Sequence, residues 1–183
     1  MNNWPLDQSW TLFLDRDGVI NERIIDDYVK RTDEFVLLPG VARAVSIANR
    51  LFLHVFVVTN QQGIGKGLMT ERNLLDIHTY CSELLEVENG HIDHYYFAPN
   101  LASDNSDLRK PNSGMALLAK EEFPAVDFQK SIMVGDSDSD IEFGRKLGMK
   151  TVFISYKKDF EHQTADLTCD SLESFINSLD YDN

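Results

Sequence analysis

The chain has 183 residues, 43% hydrophobic, 10% aromatic and 26% charged, which suits a globular domain and excludes a disordered tail. Its 17 Lys and Arg against 30 Asp and Glu leave a formal charge of −13, so general binding to nucleic acid or to an anionic membrane surface is disfavoured. An anionic small molecule is not excluded, because a bound cation or a few clustered basic groups reverse the field inside one cleft.

The first predicted strand is residues 11–14, followed at once by Asp15-Arg16-Asp17-Gly18. A long connection, residues 18–38, leads to a helix in which Val41, Ala44, Val45 and Ala48 recur at helical spacing. Residues 55–59 form the second strand and run into Asn60-Gln61-Gln62-Gly63; Leu74, Ile77, Cys81, Leu84 and Leu85 then mark a second helix. The third strand, residues 94–98, opens onto another long connection, residues 99–112, before a helix that carries Met115 and Leu118. Residues 131–134 are the fourth strand. The helix after it, residues 138–147, is predicted to be capped by Asp138 and Ser139 and to stop at Gly148 after Arg145 and Lys146. Residues 151–154 give a fifth strand. The last helix has Asp170 as N-cap, Glu173 three residues on, and an apolar stripe of Leu172, Phe175, Ile176 and Leu179.

Helices alternating with continuously apolar strands predict an α/β chain, a three-layer α/β/α sandwich around a mainly parallel, Rossmann-like sheet. One domain is expected over residues 1–183, with its motif-bearing part at about 10–155 and no large cap or lid domain. Cys81 and Cys169 form no CxxC pair, so neither a disulfide framework nor a zinc finger is expected, and a cytoplasmic location fits best. The polar start MNNWPLDQSW has no basic stretch leading into an apolar one, and no apolar run is long enough to predict a membrane span.

Four segments carry the chemistry. Asp15 and Asp17 sit two residues apart after a buried strand, where open α/β sheets place their ligands; such a pair can bind a hard cation, attack an electrophile or carry a proton. Thr59 and Asn60, before a glycine-bearing turn, offer neutral donors for phosphate oxygens. Gly65-Lys66-Gly67 fails the P-loop spacing, and Lys66 reads equally well as a solvated side chain. Arg109-Lys110-Pro111 supplies two cations to an acidic protein. The run Gly135-Asp136-Ser137-Asp138-Ser139-Asp140 is not a calcium loop, since Ile141 and Leu147 stand where a glycine and a glutamate are needed.

DxD after the first strand, Thr-Asn after the second, a later lysine and GDxxxD after a further strand together resemble the haloacid dehalogenase-like (HAD) phosphatase superfamily, over approximately residues 11–154. DRDGVIN, PGV, VVTNQQGI and RKPNSGM are similar to its heptose bisphosphate and histidinol-phosphate phosphatase group. The resemblance implies a Mg²⁺-dependent phosphatase acting through an aspartyl-phosphate on a small phosphorylated metabolite, most simply a sugar phosphate such as a heptose bisphosphate. It makes Asp15 the nucleophile and Asp17 the general acid and base. Thr59 and the backbone of Asn60 would bind the phosphoryl group, Lys110 would neutralise it, and Arg109 would touch the substrate. Mg²⁺ would be held by Asp15, the backbone carbonyl of Asp17 and Asp136, with Asp140 in support. Two features depart from that group: residues 99–108 contain no Cys or His for its zinc-holding loop, and Ser137 stands where heptose phosphatases often have lysine. Histidinol phosphate or another phosphomonoester is the alternative substrate. A non-enzymatic phosphoacceptor module is the alternative of a different class.

Overall fold

The computed structural model describes residues 4–157 and 160–179. Six strands form one sheet: β1 (Thr11–Leu14), β2 (His54–Asn60), β3 (His94–Ala98), β4 (Ser131–Gly135), β5 (Lys150–Ile154) and β6 (Leu167–Cys169). All neighbours are parallel and the order is β3-β2-β1-β4-β5-β6. The chain therefore builds outward from β1 on one side, returns to β4, and builds outward on the other. That reversal opens a crevice at the carboxyl ends of the central strands.

Among the described residues five α-helices cover the sheet: α1 (Val41–Leu51), α2 (Glu71–Glu86), α3 (Gly114–Glu122), α4 (Asp138–Leu147) and α5 (Leu172–Ser178). Alternate side chains of each central strand point to opposite faces and start two separate cores. Leu12, Leu14, Val55, Val57, Ile132 and Val134 pack with α1, α2 and α5; Phe13, Phe56, Val58 and Met133 pack with α3 and with Phe143 of α4. Burial on both faces explains why these strands read as unbroken apolar runs.

Three expectations are corrected. β6 was not foreseen: it is three half-buried residues at the sheet edge, with no apolar run to mark it. The cap of α4 is Ser137, not Asp138 or Ser139; its hydroxyl and backbone N–H both donate to Asp140, at 2.6 and 3.1 Å. Helix α5 is capped by Ser171, not Asp170, because β6 runs to Cys169 and the Ser171 hydroxyl reaches the N–H of Ser174 at 3.0 Å. The end of α4 is as expected, with Gly148 in the left-handed conformation at φ 76°. Among the described residues no helix is long and apolar enough to cross a membrane.

Candidate active site

The register of the sheet sets the site. Leu14 lies opposite Val57 of β2 and Val134 of β4, so the next residue, Asp15, emerges between the ends of both neighbours, with its N–H donating to the Val134 carbonyl at 2.9 Å. Asp136 follows the end of β4, and Asp140 turns back from the first turn of α4 to accept from Ser137. Carboxylate oxygens of Asp15, Asp136 and Asp140 all lie within 4.8 Å of one another. Gly18, at φ +89°, passes so close to Asp136 that any Cβ there would run into its carboxylate.

Lys110 reaches this cluster from the connection between β3 and α3. Its Nζ donates to Asp15 Oδ1 at 2.9 Å and to the Val58 carbonyl at 2.7 Å, and pairs with Asp140 Oδ1 at 2.6 Å. The backbone of Lys110 is fixed by Asn60, whose side-chain amide donates to its carbonyl at 3.0 Å and accepts from its N–H at 2.9 Å. Burial alone would lower the Lys110 ammonium, but Asp140 and Asp15 hold it above its ordinary value, so it stays charged. Burial, reinforced by Asp140 and Asp136, pushes the Asp15 carboxyl up to about 7 in spite of Lys110. Burial and Asp140 likewise raise Asp136, against the opposing pull of Arg23, whose guanidinium donates to Asp136 Oδ2 at 3.2 Å. Asp15 and Asp136, crowded until they resist ionisation and both offering oxygen, fit a hard divalent cation, which would take the place of the protons.

The Asp17 carboxylate is not part of that cluster. It receives Arg16 Nη2 on both oxygens, at 2.8 and 2.9 Å, Asn21 Nδ2 on Oδ1 at 2.9 Å and Gln61 Nε2 on Oδ2 at 2.9 Å. Burial would raise this carboxyl, yet the Arg16 charge and these hydrogen bonds together hold it below the ordinary value. Gln61 Nε2 also donates to Thr59 Oγ1 at 2.8 Å.

The cluster forms the floor of a cleft of about 430 Å³. Asp15, Asp17, Thr59, Asn60, Arg109, Lys110, Asp136 and Asp140 all line it, so every side chain singled out in the sequence faces one space. Arg23, Tyr28 and Lys66 line it as well, with Lys66 Nζ donating to the Tyr28 hydroxyl at 3.1 Å. Sequence reading missed Arg16, Asn21, Arg23 and Gln61 and left Lys66 undecided. Arg16, Asn21 and Gln61 stand inside the quoted motifs, but only the fold shows what they touch. Tyr156, after β5, donates from its hydroxyl to the Gly18 carbonyl at 2.9 Å and braces the same loop.

A family model described as HAD-hydrolase-like matches residues 107–174, the stretch that carries Lys110, Asp136 and Asp140. A D-glycero-alpha-D-manno-heptose-1,7-bisphosphate 7-phosphatase of Mycobacterium bovis is 39% identical over 138 residues, covering 75% of this chain and 73% of that protein. A D-glycero-beta-D-manno-heptose-1,7-bisphosphate 7-phosphatase of Rhodopseudomonas palustris is 34% identical over 144 residues, covering 75% of this chain and 78% of that protein. Among solved structures, the D,D-heptose 1,7-bisphosphate phosphatase from B. bronchiseptica, complexed with magnesium and phosphate, superposes with a TM-score of 0.82 at 26% identity, covering 92% of this chain and 96% of that one.

Proposed function

The chain belongs to the HAD-like phosphatase family that includes the heptose-1,7-bisphosphate 7-phosphatases, and on that premise we propose that it hydrolyses a phosphomonoester of a small sugar, in the first place a heptose 1,7-bisphosphate. The observation that carries this reading is the buried Asp15 carboxylate, 2.9 Å from the Lys110 ammonium, on the floor of a cleft whose wall adds Arg23, Lys66 and Arg109. A nucleophile beside a fixed cation suits a phosphate ester, and Lys66 and Arg109, which share a wall with Asp26 and Asp27 while Arg23 is held by Asp136, suit a second phosphate.

In the first step an Asp15 oxygen bonds to phosphorus as the ester P–O bond breaks, and Asp17, ionised beside Arg16 until the negative charge of the substrate raises its proton affinity, gives the proton it then takes up to the departing oxygen. In the second step Asp17, now a carboxylate, takes a proton from water as the water oxygen bonds to phosphorus, and the bond from Asp15 to phosphorus breaks. Thr59 and the backbone of Asn60 hold the phosphoryl oxygens, and Lys110 balances their charge. Asp15 and Asp136, with the backbone carbonyl of Asp17, would hold Mg²⁺, which when bound offsets the repulsion between an anionic nucleophile and an anionic ester. Asp140, with its oxygens engaged by Lys110 and Ser137, acts by holding the lysine in place. Free Cys81 and Cys169 suit a reducing cytoplasm.

The test is phosphate release by purified protein with Mg²⁺ from both anomers of heptose 1,7-bisphosphate, histidinol phosphate and nucleotides. Turnover of a heptose bisphosphate that disappears in Asp15→Asn is the expected result. A marked preference for histidinol phosphate moves the substrate assignment. A stable phosphoprotein with no turnover replaces catalysis by phosphoacceptance.

A further inference from the structure

Three buried polar side chains converge on Asp17. Arg16, Asn21 and Gln61 are each 0% exposed, while the Asp17 side chain keeps 24% exposure and lines the cleft. Withdrawing a guanidinium from water is costly, and a buried ion pair of this kind is weak evidence of added stability, because its attraction barely offsets the lost hydration. Three donor nitrogens around one carboxylate instead fix the position and plane of that group. The part of the carboxylate that stays exposed lines the cleft in which a leaving group would sit.

Gln61 adds a second connection. One amide nitrogen serves Asp17 Oδ2 at 2.9 Å and Thr59 Oγ1 at 2.8 Å. Since the Thr59 hydroxyl accepts from Gln61, its own proton remains available to an oxygen in the cleft. The group that would hold the phosphoryl oxygens and the group that would move the proton thus hang on one side chain.

We propose that Arg16, Asn21 and Gln61 form a buried cradle that positions Asp17 for proton transfer, and that Gln61 aligns this proton carrier with the phosphoryl-binding hydroxyl of Thr59. These are positioning residues: they act through Asp17 and Thr59 and do not themselves line the cleft. The proposal rests on the phosphatase reading above and goes beyond it in naming which residues place the proton.

The test compares two esters that differ in their need for a proton. An alkyl phosphate, such as the sugar phosphate turned over best, leaves as a poor alkoxide; 4-nitrophenyl phosphate leaves as a stable phenolate and needs none. Acetyl phosphate takes its place if the aryl ester is not accepted. The quantity read is kcat/KM, which ends at release of the first product. Gln61→Met and Asn21→Ala should lower kcat/KM for the alkyl ester by about 10- to 100-fold and for the aryl ester by no more than about threefold. Inorganic phosphate, as a competitive inhibitor, should bind about two- to tenfold more weakly to Gln61→Met and unchanged to Asn21→Ala, because only Gln61 touches Thr59. Thermal melting confirms that each variant is folded, and either one suffices for the ester comparison. Equal losses on both esters overturn the cradle, and an unchanged phosphate inhibition constant in Gln61→Met overturns the link to Thr59. A wild-type protein that releases phosphate from no ester overturns the phosphatase reading itself and the cradle with it.

Discussion

Asp140 and Lys110 meet at 2.6 Å with each side chain about 1% exposed, an ion pair closed off from solvent. Removing one member of such a pair strands the other. Lys110→Met should therefore lower stability by about 3–5 kcal/mol, as is usual when a buried charge loses its partner, and phosphate release should fall at least about 100-fold. Denaturant unfolding and initial-rate assays read the two effects. A variant as stable as the parent would show that solvent reaches this pair.

Divalent cation binding should stabilise the fold visibly. Asp15, Asp136 and Asp140 crowd together, so a cation that binds only the folded state should raise the melting temperature, by the equivalent of about 2.7 kcal/mol when Mg²⁺ is present at 100 times its dissociation constant. In Asp136→Asn the cation-free protein should melt at the same temperature or higher, because burial and Asp140 already disfavour a charge at that position. The shift on adding Mg²⁺ should vanish in that variant. Differential scanning fluorimetry with and without Mg²⁺ separates these outcomes, and a full shift in Asp136→Asn removes Asp136 from the cation site.

Gly18→Ala should damage the site while leaving the core intact. Gly18 sits at φ +89°, where a side chain costs roughly 1–2 kcal/mol, and the new methyl group would displace the Asp136 carboxylate. Mg²⁺ affinity by isothermal titration calorimetry should drop about tenfold or more, out of proportion to the change in melting temperature. Unaltered affinity would mean that Asp136 moves aside without consequence.

His78 provides a pH signature away from the cleft. It is 4% exposed, stacks on Tyr95 with ring centroids 4.5 Å apart, and its pKa is pushed down to about 3 by burial and then by the Arg16 charge. The folded protein thus holds His78 neutral, while the unfolded chain binds a proton below its ordinary 6.5. Stability from this residue is intact above that value and declines as pH falls through the window from about 6.5 toward 3, by about 2 kcal/mol at pH 5. Asp15, raised to about 7, works in the opposite direction over part of the window, so the difference between wild type and His78→Leu isolates the histidine. Urea unfolding at pH 7 and pH 5 should show a smaller loss for the variant; identical losses would place His78 in contact with water.

The strands and the residues that end them were legible because burial on both faces demands unbroken apolar runs, and an acidic pair after such a run has no packing role. β6 was not legible, since an edge strand of three half-buried residues carries neither alternation nor a run. The cap of α5 differed by one residue because Asp170 and Ser171 both have capping side chains, and the end of β6 decides between them. Arg16 and Gln61 were hidden for another reason. A charged or amide side chain in a strand-terminal loop reads as solvated, and only the meeting of the segments after β1 and β2 reveals that both are enclosed and aimed at Asp17.

The clasp between Asn60 and the backbone of Lys110 joins two segments of the chain. Because the lysine is moored to the end of β2, the place of its ammonium is set by the sheet as well as by its own loop, and residues 99–108 of that loop line no part of the cleft. Sequence change in residues 99–108 therefore leaves the lysine with a second anchor, on the strand that also carries Thr59.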